Sequence, residues 1–380
     1  THLSLKSFDI PPPKKKLDKK KKHYGYVPLK YKPPKYKTGM SMKTKIVLMA
    51  LLLGPASAFG VDYLTDGEVI SSDISDSWVK IGVNPQTAKP PYPTVNVYVD
   101  KGVSITASSY LMIYDNNSIT FRGGNTVNGG TVSVRKNSAL YAEDTTFNIK
   151  EITFMDGGSN SVLKNCTFNV EEFTIMTEDS GSLVLDNTKI TTGAWFGGTQ
   201  VHDGLFNITL KNGSTLEITD APSYGFNGGA NFHLEGGSSL TANSSIASGS
   251  DIFVGSGCSF NIDGELETTK TITVASDAKI DASSISFEKL QISFSKDLSS
   301  GSDENLDLAA IFGESEDIVA AALGSGKEFT VIDANGNEYE AKFNETGGSV
   351  HIGGQIPEPS TYAAIFGALT LAFAAYRRRK

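Results

Sequence analysis

The feature that most constrains this chain is a repeat of about twenty residues in its middle. The segment TFNIKEITF at residues 146–154 returns as TFNVEEFTI at residues 167–175, shifted by 21 positions. A second series places an apolar marker after each cluster of Gly, Ser or Asn. These markers, separated by 21, 23, 22, 31, 24, 20 and 20 residues, are Ile119, Leu140, Leu163, Leu185, Leu216, Leu240, Phe260 and Ile280. A fixed return at this distance is typical of stacked repeats.

Apolar and polar residues alternate within each repeat, as they do in strands with one buried face. Coils of about 20–24 residues that stack with their apolar side chains inward form a parallel β-helix. The sequence therefore predicts an all-β chain with a single-stranded parallel β-helix over residues 96–286. An antiparallel sandwich is the alternative, although its turns would return roughly every 8–12 residues. The 31-residue interval predicts a loop around residues 195–204, inserted into one coil.

Both ends of the predicted β-helix need covering, because an open end exposes unpaired backbone. We expect residues 59–95 to form an N-terminal cap and residues 287–355 a small C-terminal β cap. The second cap contains two short helical stretches, at residues 303–312 and 316–323. They precede a hairpin whose strands are joined by Asn335-Gly336 in a type I′ turn.

The two cysteines test the coil count. Cys166 and Cys258 lie four markers apart, which corresponds to roughly 19 Å along a stack of strands. A disulfide needs Cα atoms within about 7 Å of each other. We therefore predict two free thiols. Neither cysteine has a neighbouring Cys or His, so we expect no metal site, and no motif indicates a cofactor.

The formal net charge of −8 is an average over three different segments. Residues 1–45 carry +12, residues 59–356 hold sixteen basic and thirty-nine acidic residues for a net −23, and the last four residues carry +4. The acidic middle excludes a nucleic-acid-binding core. The Lys/Pro-rich stretch at residues 1–41 has too few apolar residues to fold. We expect it to be disordered and, because a signal peptide follows it, to be an artefact upstream of the true start.

Residues 42–58 have the three parts of a secretory signal peptide. Lys43 and Lys45 precede a short apolar run at residues 46–53, and Ala56 and Ala58 form a small-x-small cleavage site. This pattern predicts export through the Sec translocon. The mature protein should begin near Phe59.

The other end, residues 356–380, reads IPEPSTYAAIFGALTLAFAAYRRRK. Residues 360–376 are uncharged and as a helix would cover about 25 Å, the lower limit for a transmembrane helix. The basic residues that follow would hold that end in the cytoplasm and leave the rest of the chain outside. They are Arg377, Arg378, Arg379 and Lys380.

The triplet Pro357, Glu358 and Pro359, followed by one apolar helix and an Arg cluster, resembles the PEP-CTERM sorting signal of Gram-negative bacteria, in the form common in Verrucomicrobia. This resemblance implies that an exosortase, a membrane protease, reads the tail. The protein would pass from an inner-membrane intermediate to the cell surface or extracellular matrix. The resemblance covers about 25 residues and concerns sorting, not activity.

Three acidic pairs are the candidates for catalytic chemistry: Glu143-Asp144, Glu171-Glu172 and Glu178-Asp179. Adjacent side chains in a strand point to opposite faces, so we expect the first two pairs to be solvated surface and not sites. His202, His233 and His351 have no partner at a triad or metal-ligand spacing. The sequence therefore predicts no catalytic residues.

Two functions remain. The first is a cell-surface or extracellular-matrix protein with a structural or adhesive role, whose polar coils bind glycans or other surface polymers. The second is a secreted β-helix enzyme, a polysaccharide lyase or hydrolase. The second requires three or more charged groups from successive coils to converge in one groove.

Overall fold

The computed structural model describes residues 60–86, 91–155, 160–176, 181–197, 206–219, 226–227, 230–243, 245–248, 251–344 and 349–356. The predicted signal peptide and the predicted transmembrane segment both lie outside these ranges. Within them, no helix is long and apolar enough to cross a membrane.

The described residues fold as an all-β parallel solenoid with three sheets, whose strands are numbered in chain order. Sheet A holds β1 Val61–Tyr63, β3 Ile74–Ile81, β5 Ser104–Ile113, β7 Thr126–Val134, β9 Thr146–Met155, β11 Thr167–Met176, β13 Lys189–Gly197, β15 Thr215–Ile218, β18 Ser239–Ala242, β21 Ser259–Ile262 and β24 Lys279–Asp281. Sheet C holds β16 Phe226–Asn227, β19 Ile246–Ser248, β22 Glu265–Thr268 and β25 Ser284–Ser286.

Sheet B is the longest of the three. It holds β2 Val69–Ile70, β4 Asn96–Val99, β6 Ser118–Phe121, β8 Ala139–Glu143, β10 Asn160–Lys164, β12 Gly181–Asp186, β14 Phe206–Lys211, β17 Ala230–Leu234, β20 Ile252–Val254, β23 Thr271–Ala275, β26 Lys289–Ser293, β28 Glu328–Ile332, β29 Glu338–Asn344, β30 Ser349–Ile356 and β27 Asp303–Asn305. From β2 to β28 its neighbouring strands pair in parallel, which excludes the antiparallel sandwich.

The predicted 21-residue repeat is confirmed by the pairing of β9 with β11. Their register runs from Thr146 opposite Thr167 to Met155 opposite Met176. Equivalent side chains of successive coils therefore stack in columns along the solenoid. Inside, Phe147 lies flat on Phe168, with ring centroids 4.1 Å apart and ring planes 6° apart.

The long strands of sheet A bend in the middle. In β9, Phe147 and Ile149 are buried, Lys150 and Glu151 both lie outside, and Ile152 is buried again. Two consecutive outward residues break the alternation and turn the strand around the core. In the later coils the chain beyond the bend forms separate short strands, and these strands make up sheet C. Each of those coils therefore has three sides, one in each sheet.

The loop that the 31-residue interval predicted around residues 195–204 is wrongly placed. Leu185 pairs with Leu210 in sheet B, 25 residues later, whereas Leu216 belongs to sheet A and pairs with Ile190. The marker series therefore changed sheets between Leu185 and Leu216. Trp195 and Phe196, predicted in that loop, lie in strand β13, and residues 198–205 are outside the described ranges.

Both cysteines lie in one buried column at the corner where each coil passes from sheet B to sheet A. Backbone N–H groups link the corners of successive coils from Cys166 through Thr188, Ser214 and Ser238 to Cys258. Both thiols are buried and free, four coils apart, as predicted.

At the N-terminal end, β1, β2 and β3 lie in the segment expected to form a cap. Each pairs in parallel with a strand of the solenoid, so sheets A and B begin inside residues 59–95. At the C-terminal end, the short helix α1 Leu308–Phe312 packs on β24. A 3₁₀ turn, Gly313–Ser315, and helix α2 Glu316–Gly324 follow it. The Ser315 hydroxyl donates a hydrogen bond to the Ala282 carbonyl of the last coil.

The predicted hairpin is present, but its turn is not the two-residue type I′ turn. Strands β28 and β29 pair antiparallel, and only Gly336 in the turn has a positive φ, of 82°. The Asp333 N–H donates to the Asn337 carbonyl, which closes a three-residue loop. The Asp333 carboxylate accepts hydrogen bonds from the N–H groups of Asn335 and Asn337 and stabilises this longer turn.

Candidate binding faces of the solenoid

The bend in sheet A forms an open groove of about 800 Å³ that runs across several coils. Along one wall, asparagines of successive coils form an amide ladder. Asn169 Nδ2 donates to Asn148 Oδ1 at 2.9 Å, and Asn148 Nδ2 donates to Asn128 Oδ1 at 3.2 Å. The groove therefore has a regular polar wall.

Three charged residues, Lys150, Glu171 and Glu172, also line this groove. We expected Glu171 and Glu172 to point to opposite faces, and that expectation is wrong. The strand bends between them, as it does at Lys150 and Glu151, so both side chains lie outside the core. The alternation rule holds for a straight strand and fails at a corner.

Glu151 is a further carboxylate at the bend of sheet A that sequence alternation did not reveal. It lies opposite Glu172 in register, and its two oxygens accept hydrogen bonds from Thr131 Oγ1 at 3.1 Å and Thr153 Oγ1 at 2.9 Å. The signal was available, because Glu151 and Glu172 occupy the same position of the aligned segments TFNIKEITF and TFNVEEFTI.

The other acidic pairs form no common site among the residues described. Glu143 forms an ion pair with Lys164 and accepts a hydrogen bond from its Nζ at 2.7 Å, while Asp144 accepts a hydrogen bond from Asn165 Nδ2 at 3.0 Å. The hydrogen bond to Glu143 and its negative charge raise the pKa of Lys164. Glu178-Asp179 lies outside the described ranges.

Two histidines that looked isolated in the sequence have neighbours in space. His351 Nδ1 lies 2.8 Å from Asp303 Oδ1 at the exposed edge of the C-terminal cap. His233 stacks on Phe253 on the outside of sheet B, with ring centroids 4.2 Å apart and planes 11° apart. His202 is outside the described ranges.

The outer face of sheet B carries a continuous column of partly apolar side chains, here called the outer stripe. Each member pairs in register with the next: Val69, Tyr98, Thr120, Tyr141, Val162, Val184, Thr209, His233 and Phe253. Val69, Tyr141 and Val162 expose 43%, 37% and 39% of their surface. They are three of the five exposed large hydrophobic residues among those described.

Polar columns flank the outer stripe on both sides. On one side, hydroxyl and amide groups are joined between coils, as from Ser182 Oγ to Asn160 Oδ1 at 2.9 Å and from Asn231 Nδ2 to Asn207 Oδ1 at 2.8 Å. On the other side, charges alternate in sign along the sequence of coils: Asp100, Arg122, Glu143, Lys164, Asp186 and Lys211.

This face presents the same chemistry once per coil, about every 4.8 Å. An apolar strip bordered by hydrogen-bonding groups is suited to an extended polymer that lies along the solenoid axis. Its ion pairs are satisfied within the face and add little to stability. This arrangement is better suited to binding along the length of the face than to catalysis at a single site.

The sequence-predicted sorting residues and the signal-cleavage residues are not among those described. Comparison with protein-family models, curated proteins and solved structures finds no match for this chain.

Proposed function

We propose that this protein is an exported structural or adhesive component of the cell surface or extracellular matrix. The observation that carries the proposal is the outer stripe, which continues through nine neighbouring strands of sheet B. Single exposed hydrophobic residues are ordinary on a soluble protein, whereas a continuous column with three exposed and six half-buried members is suited to an interaction surface. Glycans or other surface polymers are the proposed partners.

Segments at the two ends of the chain provide the proposed route of export to the cell surface. Residues 42–58 direct export through the Sec translocon, with cleavage at the Ala56 and Ala58 site. Residues 360–376 then hold an inner-membrane intermediate by a single helix. An exosortase-type protease recognises Pro357, Glu358 and Pro359 and passes the chain to the surface. This part of the proposal rests on the sequence pattern and its resemblance.

Cell fractionation tests the route. Replacing Pro357, Glu358 and Pro359 together by Ala should stop transfer to the surface and leave uncleaved protein in the membrane fraction. A matched control replaces the adjacent Ser360 and Thr361 by Ala and should behave as wild type. Equal surface levels for the triplet variant and the control would contradict sorting by this signal. N-terminal sequencing of the surface form should start near Phe59.

A polysaccharide lyase or hydrolase is the second candidate, favoured by one observation. Lys150, Glu171 and Glu172 from two successive coils line one groove, which meets the requirement of three charged groups. Glu171→Gln and Glu172→Gln should each abolish chain cleavage if these carboxylates act as acid and base. Glu143→Gln, outside the groove, is the control. Absence of cleavage by the wild-type protein across neutral and acidic polysaccharides would reject this candidate.

A further inference from the structure

The stacked pair His233 and Phe253 lies near one end of the outer stripe, beside a shallow cavity of about 310 Å³. This volume falls at the small end of ligand sites, roughly 300–1,000 Å³. The two rings come from successive coils and stack face to face, so each covers one face of the other. The open face of the His233 ring points towards Thr209, which lines the same cavity, and forms a flat aromatic platform there. Thr209 and Thr273 occupy the neighbouring positions of the same column, so the fold itself does not require aromatic side chains there.

Hydrogen-bonding groups lie next to this platform. The Asn207, Asn231 and Asp251 side chains line the same cavity. Asn231 Nδ2 donates to Asn207 Oδ1, the Asp251 N–H donates to Asn231 Oδ1 at 3.2 Å, and Asp251 Oδ1 accepts from the Thr271 N–H at 3.0 Å. These bonds hold the polar side chains in fixed positions, while each carboxylate or amide oxygen can accept more than one hydrogen bond.

We infer that His233, Phe253 and the adjoining Asn207, Asn231 and Asp251 form a subsite for one neutral hexopyranose unit of a glycan. A pyranose ring has an apolar C–H face that packs on aromatic rings and an edge of hydroxyl groups that bind amides and carboxylates. Asp251 lines the cavity, and Glu235 lies 3.5 Å from His233 Nε2, so anionic sugars are disfavoured. This inference rests on the proposed adhesive function and names its ligand class.

Binding to full-length protein tests the subsite, with soluble β-1,4-glucohexaose and an uncharged mannan as neutral probes and polygalacturonate as the anionic comparison. Phe253→Thr and His233→Thr copy the threonines of the adjacent coils and should leave the fold intact. His233→Thr removes the platform and Phe253→Thr removes the ring that supports it, so each should weaken binding of a neutral probe about tenfold or more. Phe253→Tyr should retain binding, and Thr241→Ala, on the exposed side of strand β18 and outside the outer stripe, is the control.

A measurement that needs no variant accompanies the titration. Binding of a neutral probe to wild-type protein should shift the proton resonances of the His233 ring. Failure of both neutral probes to bind, or unchanged affinity in Phe253→Thr and His233→Thr, would overturn the subsite. Stronger binding of polygalacturonate than of either neutral probe would overturn it as well. None of these results alters the fractionation test, so failure of the subsite and failure of the proposed function remain distinguishable.

Discussion

Small polar residues carry the corners of this solenoid. At the sheet B to sheet A corner, the Thr188, Ser214 and Ser238 hydroxyls accept hydrogen bonds from backbone N–H groups of the preceding coil, at 3.0–3.2 Å. Ser214 Oγ also donates to the Leu185 carbonyl at 2.9 Å. Each hydroxyl therefore satisfies buried backbone that a sharp turn would leave unpaired. Cys166 and Cys258 fill two positions of this column.

The cysteines give the first prediction. Burial raises the pKa of Cys166 to about 11, so its thiolate fraction at pH 8 falls about a hundredfold. In denatured, unreduced protein, two thiols should react with a thiol reagent. In the native protein, Cys166 should react far more slowly than in the denatured protein. Because the folded pKa lies above the unfolded value, stability should decline as pH rises from about 9 towards 11. Cys166→Ser should remove that part of the decline. Finding no thiols in monomeric, unreduced protein would contradict the four-coil separation.

A second prediction concerns the turn of the C-terminal hairpin. Gly336 has φ of 82°, a conformation that costs a residue with a Cβ about 1–2 kcal/mol. Gly336→Ala should lower the free energy of unfolding by about that amount, and Gly336→Asn by less. Gly354→Ala, in strand β30, has open space for the new methyl group and is the control. Equal losses in denaturant titrations of the two alanine variants would contradict the left-handed turn.

At the scale of elements, the solenoid is held by columns of side chains that repeat from coil to coil. The buried rings of Phe147 and Phe168 form one such column in sheet A, and the buried Phe121 of sheet B contacts Phe147 edge to face at 5.7 Å across the core. Stability in such an array comes from contacts between neighbouring coils. A hole in one coil therefore weakens its two interfaces together.

Phe168→Ala should lower the free energy of unfolding by about 3–5 kcal/mol, the usual result of emptying a buried Phe position. Thr241→Ala, on the exposed side of β18, should change it by less than about 0.5 kcal/mol. Urea denaturation followed by intrinsic fluorescence checks both. A loss below about 1 kcal/mol in Phe168→Ala would mean that this column is not packed as described.

Periodicity predicted the parallel coils, the 21-residue register and the separation of the cysteines. It could not predict the corners, because both sides of a corner show alternating apolar residues. Leu185 and Leu216 therefore looked like members of one series although they belong to different sheets. The same limit hid the groove: at the bend, Glu171 and Glu172 lie on one side, contrary to alternation. His233 and Phe253 were also hidden, since a stack across coils depends on exact register.

At the scale of the whole molecule, net charge and exposed apolar surface have opposite effects on association with other polymers. The segment between the two predicted sorting regions carries −23, which favours solubility and opposes association with like-charged polymers. The outer stripe differs from this acidic surface, because it is a continuous, partly apolar column on the outer face of sheet B. The proposed function therefore depends on this stripe. We expect retention at the cell surface to depend only weakly on the rest of the protein surface.

Surface retention of two matched triple variants of the full-length protein tests this claim most directly. Tyr141→Lys, Val162→Lys and Val184→Lys place three positive charges on successive coils of the outer stripe. Asn148→Lys, Asn169→Lys and Thr191→Lys place the same charges on successive coils of sheet A. In washed cells, the first variant should be lost to the medium and the second retained like wild type. Equal retention of both, or loss of the sheet A variant alone, would contradict the account.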